Sequence, residues 1–566
     1  MNKMAAGFAS KAGSLPPRRT FLDRLFSTSF YAASLKSRTP KKLIASHVDA
    51  IPGRGEKADH LFQGHFEFAG FGTHVSNAEP WFASDMPMHW HLELHRFSWL
   101  RDFAANNTDA AKRHVRALLI SWIRNFGDYT SYLWDTDILA RRLINWIRQA
   151  SFLMTANDGD FNYQFLKSVR HQYSHLLRLR KYIDRSQDKL TIDLALYLCA
   201  SSFPDGAAQK QKLLDQLLAS IDKTILADGC HISRNPSRHQ EVMADLIGLK
   251  HDFLNDQEEI PKSLMDGIDR LAPVVRFFQH GDGGLALFNG AILSEDGDCD
   301  HLLAIADAPG RSPHRCPLGG FERLKAGRAL LLLETSEGGR PKELQSHFGI
   351  GSFEFSYGRE RLVVNCGAHP DTHSHWGKAL ASTAAHSTLS IADLNAAFPQ
   401  PDKKNATRAK VSTHEEGGNL WLELSNPGYL EKLGALHTRR LFLDASGENL
   451  RGEDTVSIDK STDQTTEFDI RFHLHPDLSV SKNIGGNKLL IRTSVGVGWQ
   501  FISSLSDMSL EESVYCGHAG EQRKSWQIVL KGRLHDGEDL TVKWAFRLLG
   551  DGDEKPSEKA SKAASD

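Results

Sequence analysis

Cysteine is scarce: six residues in a chain of 566, Cys199, Cys230, Cys299, Cys316, Cys366 and Cys516, with no Cys-x-x-Cys pair among them. So sparse a set excludes a disulfide-stapled scaffold and a cysteine-built zinc module, and fits buried apolar thiols. An excess of one charge is lacking too, since 68 Lys and Arg stand against 70 Asp and Glu, a formal net charge of -2. That balance carries no electrostatic footprint of a nucleic-acid binder. No run reaches the roughly 18 to 20 apolar residues that a membrane-spanning helix needs. The N-terminus MNKMAAGFASKAGSLPPRRTFLDRLF breaks its basic residues with Pro16 and Pro17 where a secretory signal would carry an apolar stretch. Phe21, Leu22, Leu25 and Phe26 beside Arg18, Arg19 and Arg24 could lie on a membrane surface, but the expectation for 1–45 is a basic, loosely ordered arm. The polar tail 551–566 is expected to be disordered.

What is there, 40% hydrophobic and 24% charged residues, is the composition of an ordinary globular chain long enough for two or more domains. Its periodicity changes partway along. From about Leu92 to Phe278, apolar residues recur at helical spacing, as in KRHVRALLISWIRNF and ILARRLINWIRQASFL. After the glycine-rich HGDGGLALFNG of 280–290, short runs of β-formers such as ALLLLETS, SFEFSYG, RLVVNCG and TRRLFLD predict antiparallel strands. A helical half followed by an all-β half argues for separate domains, here 46–290 and 291–550.

Nine stretches, in order along most of 90–550, carry a family resemblance: ELHRFSWLRDF, RRLINWI, DGCHISRNP, RFFQHGDGGLALFNG, GFERLKAG, SHFGIGSFEFSYGRERLVVNCG, STAAHSTLSIAD, GENLRGEDTVS and FHLHP. The succession resembles the heparinase II/III-like proteins. The resemblance implies an N-terminal α/α toroid, an incomplete barrel of helical hairpins, followed by a C-terminal antiparallel β-sandwich. It also implies a polysaccharide lyase whose partner is an acidic polysaccharide or oligosaccharide, with a periplasmic address. The N-terminus leaves a cytoplasmic one open.

Such a lyase removes the C5 proton of a uronate and expels the sugar linked at O4. It needs a group to neutralise the carboxylate, a base for C5 and an acid for the leaving oxygen. Arginine, asparagine and histidine suit these tasks, and HISRNPSRHQE, 231–241, holds all three. Family lyases show a pattern like H-x-E-x-S-P-x-Y-H here, whose tyrosine is acid and base. His231, Pro236 and His239 fall on it, whereas Ser233 replaces the glutamate, Asn235 the serine and Arg238 the tyrosine. An arginine stays protonated and cannot take the tyrosine's role. CASSFPDG, 199–206, stands where lyases carry an asparagine-histidine pair. The expected assignment makes His239 the base, with His231 and His347 as the other catalytic histidines and His347 protonating the leaving oxygen. Arg234, Arg238 and Asn235 bind the carboxylate.

In the β half, the resemblance sets His347 and His386 on family histidines and Asn365 on an aspartate, with Gln345 in place of a further histidine. In metal-containing relatives that His, Asp, His set binds a structural zinc. No cofactor is required for the reaction, and an amide in place of a carboxylate makes a poorer zinc ligand.

Structural roles compete for the same residues. Asn235 and Pro236 can start a helix as N-cap and first residue. Arg141 and Arg142 suit inter-helix pairing, and Trp81, Trp90, Trp99 and Trp122 suit core packing. His369, His373 and His375 read as a histidine-rich loop. Two further functional classes stay open: a glycoside hydrolase recruiting Asp135 or Asp137, for which no opposed acid stands out, and a catalytically silent glycan-binding or envelope-assembly protein.

Overall fold

The computed structural model describes residues 20–35, 37–75, 79–155, 158–183, 189–308, 310–335, 347–396, 409–458, 466–483, 488–534 and 539–550. Arg18, Arg19, Gln345 and the tail 551–566 lie outside the described residues. The chain divides into two compact units. One comprises Met1–Ile232, Gln240–Ala272 and Asp300–Gly310, the other Ser233–His239, Pro273–Cys299 and Arg311–Asp566.

The first unit is helical apart from an antiparallel pair of short strands, His65–Phe68 and Phe71–His74. Thr136–Arg148 packs against Met88–Arg96, Gly159–Leu179 and Leu190–Ser202, burying Leu139, Leu143, Ile144 and Trp146. Leu190–Ser202 is apolar on nearly every side and buried along almost its whole length, as a helix enclosed by others must be. Its one carboxylate, Asp193, is held by Arg180 and by the Ser220 hydroxyl at 2.5 Å. Trp81, Trp90, Trp99 and Trp122 are buried in the core, as expected, and so is Trp146. Arg142 is fully buried over the Trp122 ring at 4.5 Å and donates to Gln172 Oε1 at 2.7 Å. Burial pulls its pKa down to about 9. Arg141 and Arg148 both donate to Asp245 at 3.0 Å, so this arginine cluster ties helix Thr136–Arg148 to helix Pro236–Asn255.

Within the segment expected to be a loose arm, Thr20–Phe26 and Ser29–Leu35 form two short helices that are docked. Phe26 packs edge-on to His175 with centroids 5.2 Å apart, and the Tyr31 hydroxyl meets His175 Nδ1 at 2.6 Å. The docking contacts are aromatic, a signal that the polar, proline-broken sequence just before them obscures.

The second unit is an antiparallel β-sandwich. One sheet has eight strands in the order Ser479–Lys482, Lys488–Arg492, Gly498–Ser503, Asp539–Leu548, Asn449–Ile458, Ala435–Leu443, Asn419–Asn426 and Lys410–Glu416. The other runs Met508–Tyr515, Arg523–Leu534, Thr466–Leu474, Glu360–Val364, Phe353–Tyr357, Ala329–Glu334, Phe321–Ala326 and Arg315–Cys316, with Leu389–Ile391 paired beside Thr466–Leu474. Burial alternates along Ala435–Leu443 and Asn449–Ile458, the period of two expected of sheets with one wet face. Phe353 stacks on Trp544 at 5.7 Å and Phe472 meets it at 4.7 Å, joining the inner faces of the two sheets. Each such ring contributes about 1.5–3 kcal/mol by leaving water.

Strands Ala329–Glu334 and Phe353–Tyr357 are buried on both faces. Leu331, Leu333, Phe353 and Phe355 enter the sandwich core. Alternation then sends Glu334, Glu354 and Ser356 to the opposite face, where a polar layer forms. All six cysteines are free and buried, as expected.

Candidate functional site

The polar layer is organised by the loop HGDGGLALFNG. His280 Nδ1 bonds Ser356 Oγ at 2.8 Å, and its Nε2 meets Glu354 Oε2 at 3.0 Å. Glu354 Oε1 accepts from the backbone N–H of Leu287 at 3.0 Å and of Asn365 at 3.2 Å. Arg361 grips both oxygens of Asp282, at 2.7 and 3.0 Å, and donates to Leu285 O at 3.1 Å. The motifs HGDGG, SFEFS and RLVVNCG thus tie one loop to two strands. This network puts Asn289, at φ 51°, beside the residues that precede helix Pro236–Asn255.

There Asn235 caps the helix, its Oδ1 accepting from Arg238 N at 3.1 Å, with Pro236 as the first helical residue. Asn235 Nδ2 donates to Asn289 O at 3.0 Å. Arg234 sits in the left-handed region at φ 58°, a conformation that costs a non-glycine residue about 1 kcal/mol or more. Its Nη2 donates to Glu334 Oε1 at 2.5 Å and its Nε to Gly319 O at 2.9 Å. Asn289 Nδ2 also reaches Glu334 Oε1, at 3.1 Å, and Asn289 Oδ1 accepts from His347 N at 3.4 Å. Burial raises the pKa of Glu334, and the Arg234 guanidinium opposes that rise.

Arg234, Asn235, Arg238, His239 and His347 therefore share the second unit, the first, second and last of them joined through Asn289 and Glu334. His231 belongs to the first unit, bridged there to Ile225. Arg234 is spent on Glu334 and Gly319, and Asn235 on a cap and a backbone carbonyl. His239 is fully buried with Nδ1 on Asn235 O at 2.7 Å, and its ring lies edge-on to Phe278 at 5.2 Å. Among the five, Arg238 alone is half-buried. Glu334 escaped attention in the sequence. The signal was there, one carboxylate ending the otherwise apolar strand ALLLLE.

His347 Nδ1 and His386 Nε2 lie 3.2 Å apart with their rings edge to face. His386 Nδ1 donates to Ser382 O at 2.7 Å, which leaves its Nε2 as the acceptor facing His347. Burial depresses both, His347 well below the ordinary histidine value and His386 to about 4, so both are neutral. Asn365 turns its Oδ1 to Ser387 N at 3.2 Å. Among the described residues, no third His, Cys, Asp or Glu offers a ligand atom within 4.8 Å of both imidazole nitrogens. Two neutral imidazoles that satisfy one another, with an amide engaged elsewhere, do not fit the four-ligand set of a structural zinc.

The other candidates have structural partners. Asp137 pairs with Arg96 at 2.5 Å and is largely exposed. In AHPDTHSHW, Asp371 Oδ1 accepts from His373 N at 3.0 Å and Ser374 N at 3.2 Å, and Ser374 caps helix His375–Ala381.

Residues 308–546 match the family model described as Heparinase II/III-like, C-terminal. That match covers the C-terminal, β-rich part of the chain, which there is similar to the heparinase II/III-like proteins. Among solved structures, it resembles a heparinase III with a TM-score of 0.69 at 14% identity, over 94% of this chain and 91% of that one. A heparan sulfate lyase from Pedobacter heparinus aligns with a TM-score of 0.55 at 14% identity, over 87% of this chain and 82% of that one. At such identities the likeness is one of fold, and the fold is the α/α toroid plus antiparallel β-sandwich of that family. FtsZ-localized protein C of Caulobacter vibrioides (strain NA1000 / CB15N) is 29% identical over 472 residues, 80% of this chain and 81% of that protein.

Proposed function

We propose that this chain is a heparinase-fold protein that binds a uronate-containing glycan and does not cut it. The carrying observation is structural: His239 is fully buried and Arg234 is bound to Glu334, and the family resemblance further implies that Arg238 takes the place of the lyase tyrosine. A permanently charged arginine can still hold a carboxylate, so binding survives the loss of chemistry. The likeness to an FtsZ-localized protein supports a place at the division site in envelope assembly.

The test is incubation with heparan, chondroitin, alginate and bacterial uronate polymers, reading ultraviolet absorbance of unsaturated ends alongside binding by calorimetry. Binding without new unsaturated ends is expected, and a fluorescent fusion is expected to colocalise with FtsZ.

The family fold favours a second reading, β-elimination, in which His239 takes the C5 proton, Arg238 holds the uronate carboxylate and His347 protonates the leaving oxygen. On that reading unsaturated ends accumulate, and His239→Ala lowers kcat by about 100-fold or more. That pair of results would replace the binding reading. His347 would have to act from a neutral, depressed state, which makes it a weak acid source near neutral pH.

A further inference from the structure

The outer face of the eight-stranded sheet carries an open cleft of about 820 Å³ that none of the residues discussed above lines, save Trp544 at its floor. One row of direct cross-strand partners runs along it: His414 opposite Trp421, Trp421 opposite Phe442, Phe442 opposite Arg451, Arg451 opposite Ala545, and Ala545 opposite Ile502. Their neighbours Leu422, Leu441, Leu443, Leu450, Phe546 and Phe501 enter the sandwich core, so alternation turns the row outward. The rings of His414 and Trp421 have centroids 5.4 Å apart and those of Trp421 and Phe442 5.1 Å apart, while the Arg451 guanidinium lies 5.3 Å over the Phe442 ring.

Two residues along each strand runs a second row, of alternating charge. Arg440 donates to Glu423 at 2.5 Å and to Glu453 at 3.0 Å, and Lys543 lies 3.7 Å from Glu453. Two carboxylates are therefore matched by Arg440 and Lys543. Arg451 and Arg547 remain, both exposed and both without an acidic partner among the described residues. Cations left over beside half-exposed aromatic rings are the composition of a surface that takes up an anionic, ring-bearing ligand.

We propose that this outer sheet face is a second binding surface for an acidic glycan, with Trp421 and Phe442 stacking on sugar rings and Arg451 and Arg547 holding carboxylates. The choice of glycan rests on the binding reading above. The sheet itself also favours it over a peptide. Trp421, Phe442, Arg451 and Ala545 stand on interior strands whose backbone groups are already paired, so no strand can be added there. Recognition must come from side chains alone. Planar rings bury the apolar faces of sugars, and the guanidinium fork matches a carboxylate.

The experiment is titration calorimetry of the full chain with acidic hexuronate oligosaccharides, a neutral cello-oligosaccharide and polyglutamate. It compares the parent with Trp421→Ala, the double variant Arg451→Glu with Arg547→Glu, and Arg238→Ala. The sheet variants are expected to weaken acidic-oligosaccharide binding by about tenfold or more with an unchanged Tm. The neutral sugar is expected not to bind. Should Trp421→Ala lower Tm, the double variant on exposed side chains decides the matter. Binding lost in Arg238→Ala and unchanged in the sheet variants overturns this inference and keeps the proposed function. The reverse keeps this inference and removes the helix-start site. Polyglutamate bound at this face with no oligosaccharide bound overturns the glycan assignment, and a parent that binds no acidic glycan overturns both.

Discussion

Arg234 donates to Glu334 Oε1 at 2.5 Å, and the pair is buried, Glu334 completely. An ion pair of this kind is weak evidence for stability as a unit, but breaking it strands a charge. Glu334→Gln and Arg234→Ala are each expected to destabilise by about 3–5 kcal/mol, read from urea unfolding. A change under about 1 kcal/mol would mean that water reaches the pair as it reaches surface salt bridges.

Stability should depend on pH through the buried histidines. His386 has a folded pKa of about 4, against an ordinary 6.5, and His347 is lowered in the same direction. Between those values the unfolded chain binds more protons than the folded one. Stability is then full above about 6.5 and falls as the pH drops toward 4, by about 1.4 kcal/mol per pH unit for each such histidine. His386→Gln should flatten part of that slope in Tm measured across the range.

Metal analysis of the purified chain is expected to find no stoichiometric zinc, and a chelator is expected to leave Tm unchanged. The reason is the mutual satisfaction of His347 and His386 at 3.2 Å with Asn365 turned to Ser387. One zinc per chain, lost together with stability in His347→Ala, would contradict this account.

Asp454 accepts from His437 at 2.7 Å, from Arg439 at 2.7 and 3.1 Å and from Trp544 at 2.8 Å, and nothing of it reaches solvent. Arg439 and these hydrogen bonds hold its carboxyl well below the ordinary range despite burial. Its contribution is present at pH above the ordinary carboxylate value and lost only as pH falls far below it. Asp454→Ala leaves Arg439 buried and unpaired, and is expected to cost about 3–5 kcal/mol at neutral pH, measured by chemical denaturation.

Periodicity determined much of this molecule. The 3.6-residue rhythm up to Phe278 and the two-residue rhythm beyond Gly290 reflect which side chains must leave water, and they yield the helical and β halves without any knowledge of contacts. Local chemistry likewise placed Asn235 as a helix cap, because a cap bonds within three residues of itself. The candidate site was legible only as a cluster of polar residue types in HISRNPSRHQE.

What each of those residues does was decided at long range. Glu334 lies 100 residues from Arg234, and Asn289 lies 55 from it. Whether an arginine is free for a substrate or consumed by an internal carboxylate depends on such partners, and no local pattern records them. The same holds for His347 and His386, 39 residues apart, and for the row from His414 to Ile502, which exists only because strand register aligns it. The sequence determined which residues could pair. Tertiary structure decided which did, because burial raises the cost of every polar atom left without a partner.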